Sequence, residues 1–200
     1  MNKKNILLLI FLAVAVTIAI TIAASFYQNQ TAPTNEPTAN TATLSDAQKF
    51  ASDYSQVKQD NRFSYVTGEQ AVDLLKNGDG ILFLGFKECP WCQSLAPLVD
   101  EAAKQQDLQQ VYYLDIRQAR TDNDSTYQQL VDILRDYLQK DENGEPRIYV
   151  PDVTAVKDGK IVSRFKQEPS EGQTTPAEFW TTERKERAIV QLRDMIQTTK

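Results

Sequence analysis

The chain has 200 residues, of which 41% are hydrophobic and 24% charged, so it can bury a core and is not predicted to be disordered throughout. Its formal net charge of −5 argues against binding to nucleic acid or to anionic lipid, because Lys and Arg drive both interactions. Histidine is absent, which removes the commonest general base and metal ligand, together with every Cys–His or Ser–His catalytic pair.

Residues 1–27 are predicted to be a membrane anchor or a signal peptide. Lys3 and Lys4 precede an apolar run of 19 residues, 6–24. That length suffices for a helix to cross the hydrocarbon layer and exceeds the roughly 7–15 residues of a signal-peptide core. An uncleaved run would make a single-pass protein of the cell membrane, with the lysines inside and the rest of the chain on the extracytoplasmic side. Small residues near the end of the run leave cleavage open, and a cleaved chain would be secreted.

Residues 28–43 are rich in Thr, Asn, Pro and Ala and show no apolar periodicity, which predicts a flexible polar linker. Residues 44–200 are predicted to form one folded domain. Its first two helices should begin at capping boxes, in which a Ser or Thr side chain and a Gln three residues later bond each other's backbone N–H groups. These boxes are Ser45 with Gln48 and Thr67 with Gln70.

Strands and helices alternate through the remainder of the domain. The predicted strands are 81–86, 111–116, 147–150, 152–156 and 161–165. Further helices are predicted directly after Cys89, over 124–139, and from about Ala177. The first strand is continuously apolar, as a buried central strand should be, and Asp158-Gly159 signals a hairpin between the last two. This order predicts an α/β domain with a mixed central sheet flanked by helices.

The two cysteines occupy a CxxC motif, Cys89-Pro90-Trp91-Cys92, placed between the buried strand and a helix. Free backbone N–H groups and the helix dipole at this position favour a thiolate, which is the nucleophile of disulfide exchange. Cys89 is therefore predicted to attack a partner disulfide, and the more buried Cys92 to resolve the mixed disulfide. Pro90 supports the first helical turn, where its missing N–H costs nothing. Trp91 is predicted to be partly exposed and to bind substrate.

Three other interpretations of the motif remain open. A passive structural disulfide would close a very small loop and so add little stability by chain entropy. Half of a zinc site would need ligands that carboxylates or a second chain would have to supply. The spacing could also be accidental. The favoured interpretation requires neither a metal nor an organic cofactor, because the two sulfurs carry the electrons.

Residues 63–165 resemble the thioredoxin superfamily, which implies a thioredoxin-like fold. The resemblance rests on a strand leading into CxxC, on Pro97 in the following helix, on the strand 111–116, and on Val150-Pro151 before a further strand. It implies that Pro151 is cis and that the backbone of Val150 pairs with a bound substrate strand. Reducing thioredoxins usually read WCGPC and carry a buried aspartate in the preceding strand, where this chain has Phe83.

A second resemblance is to exported thioredoxin-like proteins of Gram-positive bacteria, some of them called bacteriocin transport accessory proteins. It rests on the N-terminal apolar run, the CPWC motif and the segment 151–162. The predicted function is accordingly that of a monomeric, extracytoplasmic thiol–disulfide oxidoreductase. Its partners would be exported protein or peptide thiols and disulfides, and a separate redox partner. The alternative is a non-catalytic accessory that binds an exported peptide and keeps a structural disulfide.

Overall fold

The computed structural model describes residues 44–165 and 175–200. The predictions of an anchor or signal peptide over 1–27 and of a linker over 28–43 lie outside the described residues. Within the described ranges, no helix is both long and apolar enough to cross a membrane. Leu44–Lys200 forms one compact unit.

The domain is built on a five-stranded mixed sheet in the order β1-β3-β2-β6-β7. These strands are β1 (Phe63–Tyr65), β2 (Gly80–Gly85), β3 (Val111–Asp115), β6 (Asp152–Lys157) and β7 (Lys160–Arg164). The pairs β1–β3 and β2–β3 are parallel, whereas β2–β6 and β6–β7 are antiparallel. A separate two-stranded ladder joins β4 (Gln139–Lys140) to β5 (Pro146–Arg147). The predicted mixed sheet is confirmed.

Helices cover both faces of the sheet. They are α1 (Asp46–Asp53), α2 (Gly68–Asn77), α3 (Pro90–Gln105), α4 (Arg117–Asp122), α5 (Ser125–Leu134), α6 (Pro176–Phe179) and α7 (Thr182–Gln197). Both predicted capping boxes are present at the starts of α1 and α2. The elements follow from local sequence signals that satisfy the orphan N–H groups of each first turn.

The strand β2 divides the core because its successive side chains point to opposite faces. Ile81 and Phe83 pack into one cluster together with α1, α3 and α7. Leu82 and Leu84 pack into a second cluster with α2 and α5. All four side chains are fully buried, so β2 is the central strand that its apolar run predicted. Its carboxyl end delivers the chain to the CxxC motif.

The predicted hairpin at Asp158-Gly159 is confirmed. Both residues have positive φ, 49° and 65°, as this tight turn requires. A Cβ at Gly159 would collide with the carbonyl of Lys76. The Gly159 N–H also donates a hydrogen bond of 2.9 Å to the carbonyl of Gly78, two residues further along. Glycine is required here both for the turn and for the close approach to α2.

Three predicted elements have wrong boundaries. The helix predicted over 124–139 ends at Leu134, continues as a 3₁₀ turn over Arg135–Tyr137, and gives way to the β4–β5 ladder. Pairing of Gln139 with Arg147 satisfies backbone groups that a longer helix would have used. It also limits the predicted strand 147–150 to Pro146–Arg147.

The last helix is predicted from about Ala177. It instead begins as the short α6, breaks at Trp180, and restarts where Thr181 caps α7.

Candidate functional site

The CxxC motif lies at the amino end of α3, immediately after the central strand. Cys89 is the N-cap of α3 and has an extended backbone, and Pro90 follows as the first helical residue. An N-cap side chain ordinarily accepts a hydrogen bond from an orphan N–H of the first turn, and here a sulfur does so. The Cys92 N–H donates to the Cys89 sulfur over 3.2 Å. The predicted placement of the first cysteine at a helix start is confirmed.

These contacts favour the ionised form of Cys89. Its hydrogen bond with the Cys92 thiol is the main cause that lowers the Cys89 pKa, to about 7, and the backbone N–H groups of Cys92 and Trp91 and the charge of Arg120 add to it. Burial works in the opposite direction, since the Cys89 side chain is only 7% exposed. Hydrogen bonds to a charged form stabilise that form, and near neutral pH Cys89 is therefore a ready nucleophile.

Cys92 has the opposite character. It is fully buried, and desolvation, followed by its hydrogen bond and charge interaction with Cys89, raises its pKa above the ordinary thiol range. A Cβ placed on Gly85 would lie 3.3 Å from the Cys92 sulfur, so the end of β2 packs closely over this thiol. Both cysteines are free thiols in the structure. One nearly buried thiol with a lowered pKa thus stands beside one fully buried thiol with a raised pKa.

The Val150–Pro151 peptide bond is cis, as the resemblance implied. The Val150 carbonyl oxygen lies 3.9 Å from the Cys89 sulfur, which donates its S–H toward it. The next residue, Asp152, is buried and forms an ion pair with Arg164, and it also accepts a hydrogen bond from Thr154 over 2.8 Å. The structure therefore brings the predicted residues Val150 and Pro151 beside the CxxC motif. Their pairing with a substrate strand stays a prediction.

Trp91 is half-buried, in agreement with the predicted partial exposure. Its ring packs edge-to-face on Phe179 of α6, with the centroids 5.5 Å apart. Ser94 ties the same region together, since its hydroxyl donates to the Trp91 carbonyl over 3.0 Å and accepts from the Trp180 indole N–H over 3.0 Å. The short helix α6 thus supports the first turn of α3, and the uncovered part of Trp91 remains open to a ligand.

The sequence did not indicate the role of Arg120. It lies on α4, and its guanidinium stands 5.1 Å from the ring of Phe86, which precedes the motif. Its charge lowers the pKa of both cysteines. A signal was available, because β2 and β3 are parallel and their carboxyl ends must meet at one edge of the sheet. The residues that directly follow β3 therefore come close to those that follow β2.

The two charged residues before the motif are both engaged with partners. Glu88 pairs with Arg117 over 2.9 Å, and Lys87 pairs with Asp53 over 3.2 Å. Gln93 adds to the second contact by donating to the Lys87 carbonyl over 2.7 Å. These bonds fix the loop between β2 and α3. Neither charge is among the main causes of the lowered Cys89 pKa.

Beneath the motif, the core is aromatic rather than acidic. Phe83 is fully buried at the position where reducing thioredoxins have an aspartate. Behind it, Tyr54 donates a hydrogen bond to the Tyr113 hydroxyl over 3.1 Å, and burial raises the pKa of both phenols. Desolvation in these buried surroundings is the main cause that raises the Cys92 pKa.

Over the residues that the structure describes, no group of three or more His, Cys, Asp or Glu side chains is arranged to hold a metal ion. The arrangement that is present suits disulfide exchange. The thiol of Cys89 has a lowered pKa, the buried thiol of Cys92 lies beside it, and the backbone carbonyl of Val150 is close to the Cys89 sulfur. The chain matches no protein-family model and no curated protein sequence. The case for its chemistry therefore rests on the geometry of these groups.

Proposed function

We propose that this protein is a thiol–disulfide oxidoreductase with a thioredoxin-like fold, and that Cys89 and Cys92 are its redox pair. The observation that carries the proposal is the asymmetry of the two thiols. Cys89 sits at the helix N-cap with its pKa lowered to about 7, whereas Cys92 is fully buried with its pKa raised. Catalytic cysteines need such a difference, while a purely structural pair does not.

The strand order and the cis Val150–Pro151 bond support the thioredoxin-like part of the proposal. The strand β2 leads to the motif and is parallel to its neighbour β3, and two antiparallel strands, β6 and β7, follow Pro151. The cysteines therefore lie at the carboxyl end of the parallel strands, where open α/β sheets usually bind ligands.

In the reducing direction, the Cys89 thiolate attacks one sulfur of a partner disulfide. A bond forms between Cys89 and that sulfur, the partner's S–S bond breaks, and its second sulfur leaves as a thiolate that takes up a proton. Cys92 then loses its proton and attacks the Cys89 sulfur, which closes the Cys89–Cys92 disulfide and releases the first partner sulfur. Two electrons pass to the partner, and two protons reach it through solvent. The reverse sequence oxidises a partner dithiol.

The place of action follows from the N-terminal sequence. With residues 6–24 as an anchor, the domain would work on the extracytoplasmic side of the cell membrane, and after cleavage it would be secreted. Disulfides form and persist in those compartments. Because both cysteines of the chain belong to one motif, a separate redox partner must restore the pair after each turnover. Exported proteins or peptides with thiols or disulfides are the proposed substrates.

The reduction potential of the Cys89–Cys92 pair tests the proposal. The full chain, in detergent, is equilibrated in glutathione or dithiothreitol buffers and the free thiols are trapped and counted. A potential near about −120 mV would identify an oxidant, and one near about −270 mV a reductant. A potential far below about −300 mV would mean a structural disulfide that glutathione cannot reduce, which contradicts the proposal.

The alternative, a non-catalytic accessory that binds an exported peptide, has one observation in its favour: a large open groove lies beside Val150. The Cys89→Ser variant separates the two functions. An oxidoreductase loses all disulfide exchange, because the attacking sulfur is gone. An accessory keeps its peptide binding and its cellular role as long as the variant folds, which a thermal melt verifies.

A further inference from the structure

A groove of about 910 Å³ has Val150 in its lining. One wall belongs to the segment 136–151, with Tyr137, Tyr149 and Val150, and the other belongs to β7 and the residue after it, with Val162, Arg164 and Phe165. We call it the β7 groove. It is continuous with the candidate site, because Val150 lines it and the Val150 carbonyl lies 3.9 Å from the Cys89 sulfur.

One wall of the β7 groove is an open sheet edge. In the described part of the chain, β7 ends the sheet and has a neighbouring strand, β6, on one side only. The outward N–H and C=O groups of such an edge are a template for another extended chain. The register of β7 is interrupted by a bulge at Val162, so an added strand would pair with the regular part of the edge that follows, Ser163 and Arg164, and would pass the Val162 side chain.

The groove also holds most of the large apolar side chains that are exposed in the described ranges. Of the five large hydrophobic residues exposed in the described ranges, three line it: Tyr137 at 50%, Tyr149 at 48% and Val162 at 44%. Clustered exposed apolar groups mark interaction sites, whereas scattered ones need no explanation.

The Arg164 side chain joins the two walls of the groove. The Arg164 guanidinium pairs with buried Asp152, donates to Thr154 Oγ1 over 3.3 Å, and donates to the Tyr137 carbonyl over 2.6 Å. It thereby ties the segment 136–151 to the sheet and has its charge neutralised. A groove formed in advance costs less to fill, because its walls need no ordering on binding. The remaining charges, Asp136 and Arg147, are of opposite sign, so the groove does not select a strongly charged ligand.

We infer that the β7 groove binds an extended, uncharged or apolar stretch of a substrate polypeptide as an added strand on β7. This stretch lies next to the substrate cysteine that reacts with Cys89. The inference rests on the proposed function, since it takes the Val150 end of the groove to be the place of thiol exchange. It makes the substrate class an unfolded or extended polypeptide, not a small thiol. Five residues of β7 offer room for a strand of similar length.

The first experiment measures binding without redox chemistry. The full chain with Cys89→Ser is titrated into a fluorescein-labelled peptide of about ten residues, rich in Val, Thr and Tyr, with Ser in place of its cysteine. Fluorescence anisotropy gives Kd. We expect Val162→Asp and, separately, Tyr149→Ala to raise Kd by about tenfold. Leu44→Asp, at 56% exposure and outside the residues that line the β7 groove, is the matched control and should leave Kd unchanged.

Two further peptides test strand addition itself. They have the same sequence with N-methyl groups on alternate residues, in the two possible patterns, and each cannot donate backbone hydrogen bonds along one of its edges. At least one of the two alternating N-methyl patterns should bind about tenfold more weakly. Equal binding of all three peptides would overturn the added-strand geometry.

The second experiment measures turnover by the reduced wild-type chain, with dithiothreitol as the recycling reductant. We expect Val162→Asp to lower kcat/KM by about tenfold for the disulfide-linked form of the peptide and to leave kcat/KM for glutathione disulfide unchanged. An equal loss for both substrates, no change for the peptide, or no peptide binding by the Cys89→Ser chain would overturn the inference. So would a dimer that Val162→Asp dissociates in light scattering, because the occupant would then be a second copy.

The two experiments separate the two proposals. Peptide binding that depends on Val162, in a wild-type chain that neither reduces the two disulfide substrates nor oxidises a peptide dithiol, leaves the groove in place as a peptide site and rejects the oxidoreductase. Turnover of both substrates with no effect of Val162→Asp or Tyr149→Ala keeps the oxidoreductase and rejects the groove.

Discussion

The sulfur of Cys89 and the carbonyl oxygen of Val150 lie 3.9 Å apart, although 61 residues separate them in the chain. Cys89 arrives at this point as the N-cap of α3, and Val150 as the residue before cis Pro151. Any disulfide that reaches the Cys89 sulfur must therefore approach a backbone carbonyl as well. The site thus places a thiol of lowered pKa beside a backbone carbonyl.

The first prediction concerns the pH dependence of Cys89 alkylation. Because only the thiolate reacts, the rate with iodoacetamide should rise with pH and be half-maximal near pH 7, the pH at which the lowered pKa of about 7 places half-ionisation. Cys92 should stay unmodified in the folded chain, since it is fully buried and its pKa is raised. Mass spectrometry after timed quenching locates the adduct. The Cys89→Ser variant is the control and should take up no label, and a midpoint near that of an unperturbed thiol, about 8.5, would contradict the prediction.

The second prediction concerns Arg120. Its charge lowers the Cys89 pKa, so Arg120→Gln should move the alkylation profile to higher pH and reduce the rate at pH 7 by about twofold, as expected for one solvent-screened charge. The matched control is Arg117→Gln, on the same helix, whose guanidinium pairs with Glu88. High salt should shrink the difference between wild type and Arg120→Gln. A profile that does not move would show that the helix N-terminus and Cys92 alone set the Cys89 pKa.

Much of the fold and the position of the nucleophile were predictable because their signals are local. Capping boxes, the apolar run of β2, the CxxC after it and the Asp158-Gly159 turn are each read within about ten residues of sequence. The helix α4 carries no such signal: no side chain caps it and none of its residues is buried. Its Arg120 could therefore be placed only through the parallel pairing of β2 and β3.

The segment between α5 and β6 was predicted wrongly for a related reason. Strand β4 has two exposed residues and β5 two half-buried ones, too short for an apolar pattern. What fixes this segment is a contact distant in sequence, the hydrogen bond from Arg164 to the Tyr137 carbonyl. Periodicity in the sequence cannot reveal such a bond, which is why the β7 groove became visible only in the structure.

The third prediction concerns the resolving role of Cys92. In Cys92→Ser, Cys89 can still attack a disulfide, but no thiol is left to release the mixed disulfide. A stable adduct with a peptide disulfide should therefore accumulate, and mass spectrometry should show it on Cys89. Cys89→Ser should form no adduct, because the raised pKa and burial of Cys92 make it a poor nucleophile. Adducts of comparable yield in the two variants would contradict the assigned roles.

The fourth prediction concerns the ion pair of Arg164 and Asp152. Arg164→Met leaves the Asp152 carboxylate buried without its partner, which should lower the free energy of unfolding at pH 7 by about 3–5 kcal/mol. Burial already raises the pKa of Asp152 above its ordinary value, and loss of the guanidinium raises it further. A raised folded-state pKa contributes stability at low pH that is lost as pH rises through it. The deficit of Arg164→Met relative to wild type should therefore shrink as pH falls from about 7 towards 4.

Urea denaturation at several pH values measures that deficit. The control is the double variant Asp152→Asn with Arg164→Met, which has no buried charge and should show a smaller, nearly pH-independent loss. Since Arg164 also holds the Tyr137 carbonyl, both variants should bind the extended peptide more weakly, even where the double variant regains stability. A deficit that is the same at every pH would mean that Asp152 is already neutral in the folded protein. The Arg164 side chain would then hold the groove through its hydrogen bonds rather than through its charge.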